Sequence, residues 1–387
     1  MTGTTTFVDL VGERAGVSGR AKAVAVGLGR LGLAGHRLLV SLPPGAEYVA
    51  TVLGCLYAGV VAVPVSPFGD RRLDEIVDEA QPTAAIGLPV AGVRNLGHLD
   101  GDPRDWRRPD VDPDTLALVQ YPAGPTRGVM LTHANLVAAA TQLTRHVGMG
   151  RSTGVVSYLS PYSDLGLVGG VLAPLLTGAR VTLLPPDATP DEWLRTVSLR
   201  RANISFAPDL AYAWHSAPTG LTLSHWDVAV TGAEAETLDR FATLLAPRGF
   251  REQALFPAYW TPEATALVTG RRGLVAGAFD ANSLEPGRLV KPGGTRLLDL
   301  GVSAEDVDVA IVDPLTATRC PDGTAGEVWV AGPSVAVGYL GRPGASERTF
   351  CARLRGSTDN YLRTGHSGFV RDGGLHLAEP RNVLLTR

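Results

Sequence analysis

YPAGPTRGVMLTHANL, Tyr121 to Leu136, is the stretch on which the reading of this sequence turns. It follows an apolar run, Leu116 to Val119, with the length of a buried strand, and leads into a helical pattern that starts near Thr132. Strand, loop and helix in that order frame many phosphate sites. A loop that cradles a triphosphate needs successive backbone N–H groups, hydroxyls and usually a lysine, because these bring donors and positive charge to anionic oxygens. Here Pro122 and Pro125 have no N–H, Ala123 has no hydroxyl, and Thr126 runs directly into Arg127 and Gly128. Tyr121, Gly124, Thr126 and Arg127 are therefore read as a degenerate phosphate loop. Charge-assisted hydrogen bonds contribute about 1.5–3 kcal/mol each, so the loss of two donors weakens triphosphate binding by roughly 10² to 10⁴.

Outward from the loop, short apolar runs alternate with helical patterns, as in parallel-sheet units. Strands are predicted at Arg37 to Ser41, Val60 to Val65, Leu116 to Gln120, Val155 to Tyr158, Arg180 to Leu184, Ile204 to Phe206 and Asp227 to Val230. Helices fit between them at Glu47 to Tyr57, His133 to Val147, Leu165 to Leu176 and Ala235 to Leu245. This is a doubly wound α/β pattern. From about Gly287 it gives way to short strands separated by Gly, Pro and Asp, at Asp308 to Val312, Gly326 to Val330 and Gly374 to Leu377. The expected organisation is two doubly wound α/β subdomains over residues 1–286 and a smaller β-rich, distorted-barrel subdomain over 287–387.

Composition narrows the function classes. A net charge of −3 gives no electrostatic case for a nucleic-acid partner. No apolar run approaches the roughly 20 residues that span a bilayer, and the N-terminus lacks a basic region followed by an apolar core, so the expectation is a cytoplasmic protein without a membrane partner. Three widely spaced cysteines, Cys55, Cys320 and Cys351, support neither a disulfide framework nor a metal site. Lys22 and Lys291 are the only lysines among 35 basic residues, which leaves few candidates for a catalytic ammonium.

The loop resembles the Ser/Thr/Gly-rich nucleotide loop of the AMP-forming acyl and aryl ligases, in particular the fatty acyl-AMP ligases. In that family a tyrosine is followed by Thr-Ser-Gly-Ser-Thr-Gly and Pro-Lys-Gly. On this alignment the Thr and both Ser are Pro122, Ala123 and Pro125, and Arg127 stands at the lysine. Leu42 to Pro67, Tyr158 to Pro186, Val230 to Phe250, Leu255 to Gly270 and Gly326 to Pro343 are similar to further collinear segments of the family, and Phe279 to Val290 is similar to the region around its characteristic insertion. The resemblance implies the large N-terminal part of such a ligase, ending near the interdomain hinge at Ala378 to Arg387, with the C-terminal lid domain absent. Asn382 falls at or near the hinge aspartate.

The resemblance also implies where the site lies and how it has changed. The family's Thr-Gly-Asp is Thr364, Gly365 and His366 here, and an imidazole cannot copy a carboxylate that accepts from both ribose hydroxyls. Its Tyr-Gly-Leu-Ala-Glu is Tyr259, Trp260, Thr261, Pro262 and Glu263, which keeps the acid that would bind magnesium but sets an indole where a glycine allows close approach. Ser163 replaces a histidine at the mouth of the acyl pocket, between Tyr162 and Asp164. Ser163, Asp164, Glu263 and His366 are the candidate catalytic residues. Tyr162, Gly232, Ala233, Glu234, Tyr259 and Trp260 are the candidate substrate-binding residues, and no metal ligand is assigned. A serine nucleophile would need a base such as His366 or His215 within reach. The expected function is that of a repurposed ligase of a biosynthetic pathway, which binds an acyl or polyketide-like group, free or on an acyl carrier protein, and acts on it without ATP-dependent adenylation. On that expectation no cofactor is needed. The alternatives are a non-catalytic binding or scaffolding module, and a true acyl-AMP ligase that uses ATP and magnesium with a separate lid.

Overall fold

The structure is a computed structural model that describes residues 5–11 and 17–378. Asn382 and the hinge segment after Ala378 lie outside the described residues. The predicted runs assemble into two twisted sheets of parallel core, with an antiparallel β-rich sheet beside them. In the first sheet the strands run in the order Gly338–Tyr339, Val129–Thr132, Leu116–Gln120, Val61–Pro64, Arg37–Ser41, Ala84–Gly87, the last four of these parallel. The second has the order Val302–Ser303, Leu267–Gly270, Leu255–Trp260, Val228–Thr231, Ile204–Phe206, Gly154–Ser157, Arg180–Leu183, with a parallel run from Leu255–Trp260 to its end. Asp308–Asp313, Gly326–Ala331, Asn360–Arg371 and Gly374–Leu377 form the centre of the third, entirely antiparallel. The sheets share chain segments, since Val302–Ser303 closes the second sheet and Gly338–Tyr339 the first.

Parallel strands covered on both faces must be apolar throughout, and Val61–Pro64, Gly154–Ser157 and Val228–Thr231 are buried at every position. The segment beyond the loop departs from the expected strand, loop and helix. Val129–Thr132 turns back antiparallel to Leu116–Gln120, so the loop is the tip of a hairpin, and the helix His133–Val147 begins only after it. Thr132 caps that helix in a reciprocal capping box with Asn135. Asn135 also donates to the carbonyls of Pro333 and Val335, both at 2.9 Å, and so ties the helix to the chain that returns to the first sheet.

The helix expected over Leu165 to Leu176 is continuous but not uniform. Asp164–Leu167 and Ala173–Thr177 are α-helical, while Val168–Leu172 between them is a π-helix. One extra residue per turn there turns Gly169 and Gly170 toward the second sheet, where a Cβ on Gly169 would lie 2.8 Å from the Phe206 ring. On the other side of the sheet Trp193, Tyr212, Trp226, Phe241 and Phe250 form a buried aromatic cluster with neighbouring ring centroids 4.8–5.9 Å apart, most of them edge-to-face or tilted.

His133, the first residue of its helix, is buried, and burial pushes its pKa from 6.5 down to about 4. The unfolded chain binds that proton near 6.5 and the folded chain only near 4, so stability falls as pH drops through this window, by up to about 3 kcal/mol. His376 is shifted in the same direction, also by burial. The substitution His133→Gln is expected to flatten, without abolishing, the decline in unfolding free energy measured in urea between these pH values.

Candidate functional site

The loop from Tyr121 to Gly128 is closed by the protein's own charges. Gly124 takes a positive φ of 100° at its tip, which glycine allows without strain. Arg72, gripped by Asp70 at 2.9 Å, donates from Nη1 to the carbonyls of Pro122 and Gly124 at 2.6 and 3.1 Å. The donors are spent in turn on two carboxylates of the helix Leu73–Ala80. The Gly128 N–H donates to Glu79 Oε1 at 2.7 Å, and the Thr126 hydroxyl donates to Glu75. Arg342 completes the clasp, donating to Glu79 Oε2 from Nε at 2.8 Å and to the Thr126 carbonyl at 3.0 Å. A loop that would offer N–H and O–H groups to an anion thus directs two of them at fixed negative charge. These groups do not fit a triphosphate.

Arg127, at the position of the family's lysine, lies exposed over the Tyr339 ring, 5.7 Å from its centroid. Tyr339 in turn donates its hydroxyl to Glu263 Oε1 at 2.8 Å, and Thr261 donates to Glu263 Oε2 at 2.6 Å. Burial and then the Glu263 charge push the Tyr339 pKa well up, which keeps the phenol a donor. Glu263 and Arg127 are therefore brought into one cluster, but both carboxylate oxygens already accept from the protein. Among the described residues no group of three or more His, Cys, Asp or Glu side chains could hold a metal ion.

The most chemically capable pair is Tyr259 and His366. Tyr259, the last residue but one of the strand Leu255–Trp260, is fully buried, and its hydroxyl lies 2.7 Å from His366 Nδ1, with the two rings edge-to-face at 5.6 Å. His366 is half-buried. Trp260, beside Tyr259, is also half-buried and packs against the main core as a wall. Ser163 is committed to the backbone. Its hydroxyl donates to the Ser160 carbonyl at 2.7 Å, and the hydroxyl of Tyr162 donates to the Leu42 carbonyl while its ring meets Tyr48 edge-on at 5.1 Å. Tyr162 thus seals the seam between the two α/β units. Asp164 opens the helix that follows. His215 is exposed on a loop.

Gly232, Ala233 and Glu234 form the turn from the strand Val228–Thr231 into the helix Ala235–Leu245, at the carboxyl end of a parallel strand where α/β proteins place ligands. Asp209 holds the Gly232 N–H at 2.8 Å and Thr231 holds that of Ala233 at 3.0 Å. With Leu298, Leu300 and Leu377 these three residues line a cleft of about 340 Å³, at the small end of ligand pockets.

The profile of the AMP-binding enzyme family matches residues 15–340. The chain belongs to that family. The AMP-binding enzymes similar to it include the medium-chain-fatty-acid–[acyl-carrier-protein] ligase JamA of Moorena producens, 33% identical over 95% of this chain and 71% of JamA. A second is the 4-hydroxyphenylalkanoate adenylyltransferase of Mycobacterium marinum, 33% identical over 92% of this chain and 66% of that enzyme, so the chain spans about two thirds of its length. Among solved structures, the fatty acid AMP ligase from Legionella pneumophila superposes with a TM-score of 0.91 at 26% identity, covering 98% of this chain and 78% of that one. The AMP-binding enzyme fold, with its paired α/β units and curled β-rich sheet, is that of a fatty acyl-AMP ligase.

Within this AMP-binding enzyme frame, four residues of the loop clasp escaped the sequence: Arg72, Glu75, Glu79 and Arg342. Glu75 and Glu79 did carry a signal. Like charges four residues apart on one helix face repel and disfavour the helix, and such a pair has to be offset by donors brought from elsewhere.

Proposed function

We propose that this chain holds an acyl group of a biosynthetic pathway, free or presented on a carrier protein, without converting it to an acyl adenylate. The observation that carries this reading is the closed loop: Gly128 N–H and the Thr126 hydroxyl are given to Glu79 and Glu75, so an incoming triphosphate would have to displace two carboxylates and then sit beside them. Glu263, with both oxygens occupied by Tyr339 and Thr261, and His366, engaged by Tyr259, support it from the other end of the nucleotide region. The acyl part rests on kinship. JamA is named for a fatty acid and an acyl carrier protein, and one Legionella structure is described as a complex with acyl adenylate and pyrophosphate. The leucine-lined cleft offers apolar surface of suitable size.

ATP–pyrophosphate exchange tests this reading directly. With octanoate or palmitate as the acid and JamA as the positive control, exchange by this chain is expected to be at least about 10³-fold slower, from the lost donors and the missing ribose carboxylate together. Exchange within tenfold of JamA would restore an ordinary ligase.

A further inference from the structure

The second sheet ends on an uncovered strand. Among the described residues Arg180–Leu183 pairs with Gly154–Ser157 on one side and with no strand on the other. The N–H groups of Arg180 and Leu184 donate inward, to the carbonyls of Thr153 and Ser157 at 3.0 and 2.9 Å. Backbone groups alternate in direction along a strand, so those of Val181 and Leu183 point away from the sheet. An edge of this kind is ready to pair with a further strand. Val181 is 38% exposed, and its side chain and that of Leu183 line an open apolar cleft of about 340 Å³ together with Val49, Val171 and Leu175.

The same edge starts in a patch of unneutralised positive charge. Arg151, Arg180, Arg200 and Arg201 are exposed, and none takes an ion pair or a side-chain hydrogen bond among the described residues. They come from the amino ends of three adjacent strands, Ile204–Phe206, Gly154–Ser157 and Arg180–Leu183, which lie side by side at spacings of about 4.8 Å. Arg180 is opposite Gly154. A Cβ on Gly154 would lie 3.6 and 3.9 Å from the carbonyls of Arg201 and Arg200, and one on Gly178, which also lines the cleft, 3.7 Å from Arg151 Cγ. Asp227, the residue before the next strand, Val228–Thr231, is already held by Arg251 at 2.7 Å. In a chain of net charge −3, this end of the sheet carries a local excess of cations facing water.

We propose that Arg180–Leu183 is a docking edge for an extended segment of a partner protein, which adds as an antiparallel strand, sets alternate apolar side chains into the cleft and places acidic residues among the four arginines. Three observations select this occupant. Outward backbone groups call for a polypeptide, the cleft beside them for apolar side chains at every second position, and the arginines for carboxylates, which guanidinium groups bind through paired hydrogen bonds. Antiparallel pairing is slightly the more stable per residue. A segment in that direction ends where Arg180 begins its strand, which fixes the acids at the segment's carboxyl end. An anionic membrane would meet the arginines but leave the edge and the cleft unused. The docking edge begins at the amino ends of the strands, whereas the turn Gly232 to Glu234 follows a carboxyl end, and it does not depend on the acyl-holding reading.

The probe is a fluorescein-labelled peptide, Thr-Val-Thr-Val-Thr-Glu-Asp-Glu, titrated with the full chain by anisotropy, beside a control peptide with lysines in place of the acids and vesicles of phosphatidylglycerol. Wild-type protein is expected to bind the acidic peptide at least about tenfold more tightly than the control, with affinity falling as salt rises. Reversing charge in Arg151→Glu with Arg180→Glu is expected to weaken binding about tenfold or more. Val181→Pro, which removes an outward N–H that the sheet does not use, is expected to weaken it about tenfold. Hydrogen exchange supplies a readout without substitution: the peptide is expected to slow the Val181 and Leu183 amides about tenfold or more, while those of Arg180 and Thr182 are protected already. Equal binding of the two peptides, an affinity unchanged in Val181→Pro, or exchange at Val181 and Leu183 that the peptide leaves unaltered overturns the proposal. Vesicle binding with neither peptide bound also overturns it and makes the patch a membrane surface. Self-association of the wild type that Val181→Pro abolishes overturns it as well, and gives the edge to a second copy.

Discussion

Converting Glu75 and Glu79 together to glutamine is expected to raise the affinity for inorganic tripolyphosphate about a hundredfold, read by titration calorimetry. Glutamine keeps an acceptor for the Gly128 N–H and the Thr126 hydroxyl, so the loop stays closed in shape while its two negative charges disappear. Each carboxylate near a bound phosphate repels it by roughly tenfold in affinity after solvent screening, and Arg342, released from Glu79, becomes available as a cation. An unchanged affinity would mean that the prolines alone close the loop to anions.

Replacing Trp193 by alanine is expected to cost about 3–5 kcal/mol of unfolding free energy, seen as a lower urea midpoint. Trp193 is fully buried and contacts Tyr158, Tyr212, Trp226 and Phe241, so its removal leaves a cavity at the centre of the second α/β unit. Trp193→Phe separates packing from polarity. The indole Nε1 is buried without a partner, so phenylalanine deletes an unsatisfied donor along with part of the ring, and a loss below about 1.5 kcal/mol is expected.

The fold was legible wherever short-range pattern and long-range packing agree. Leu116–Gln120, Ile204–Phe206, His133–Val147 and Ala235–Leu245 lie where apolar spacing places them, because parallel strands between helices have to be apolar and the helices amphipathic. Three features were not legible in that way. The π-helix at Val168–Leu172 lies inside an almost wholly apolar run, which carries no phase from which an added residue could be read. The hairpin after the loop leaves no mark of its own, since Val129 to Thr132 is too short to separate from the start of the following helix. The third is the clasp itself.

The site was legible as loss and not as replacement. Pro122, Ala123 and Pro125 announce that donors are missing, but the groups that took over, Glu79 and Arg342, come from distant segments and meet only in three dimensions. His366 stood out as a carboxylate turned to imidazole; that it reaches Tyr259 depends on a bulge, and a bulge is a property of two strands. Ser163 shows the reverse. Its neighbours in sequence suggested a nucleophile, and its hydroxyl is committed to the backbone one turn away.

The pairing of Gly338–Tyr339 with Val129–Thr132 has a consequence for how the protein is made. The two strands are separated by about 200 residues, and at ribosomal speeds of roughly 5–20 residues per second the first must wait about 10–40 s for its partner. During that interval the nascent chain carries an open sheet edge, a template for wrong pairing. The same late segment delivers Arg342, so the loop is clasped only when the sheet is completed. A gene fragment ending before Tyr339 would emerge with both the edge and the loop open, and its insolubility would reflect unfinished assembly.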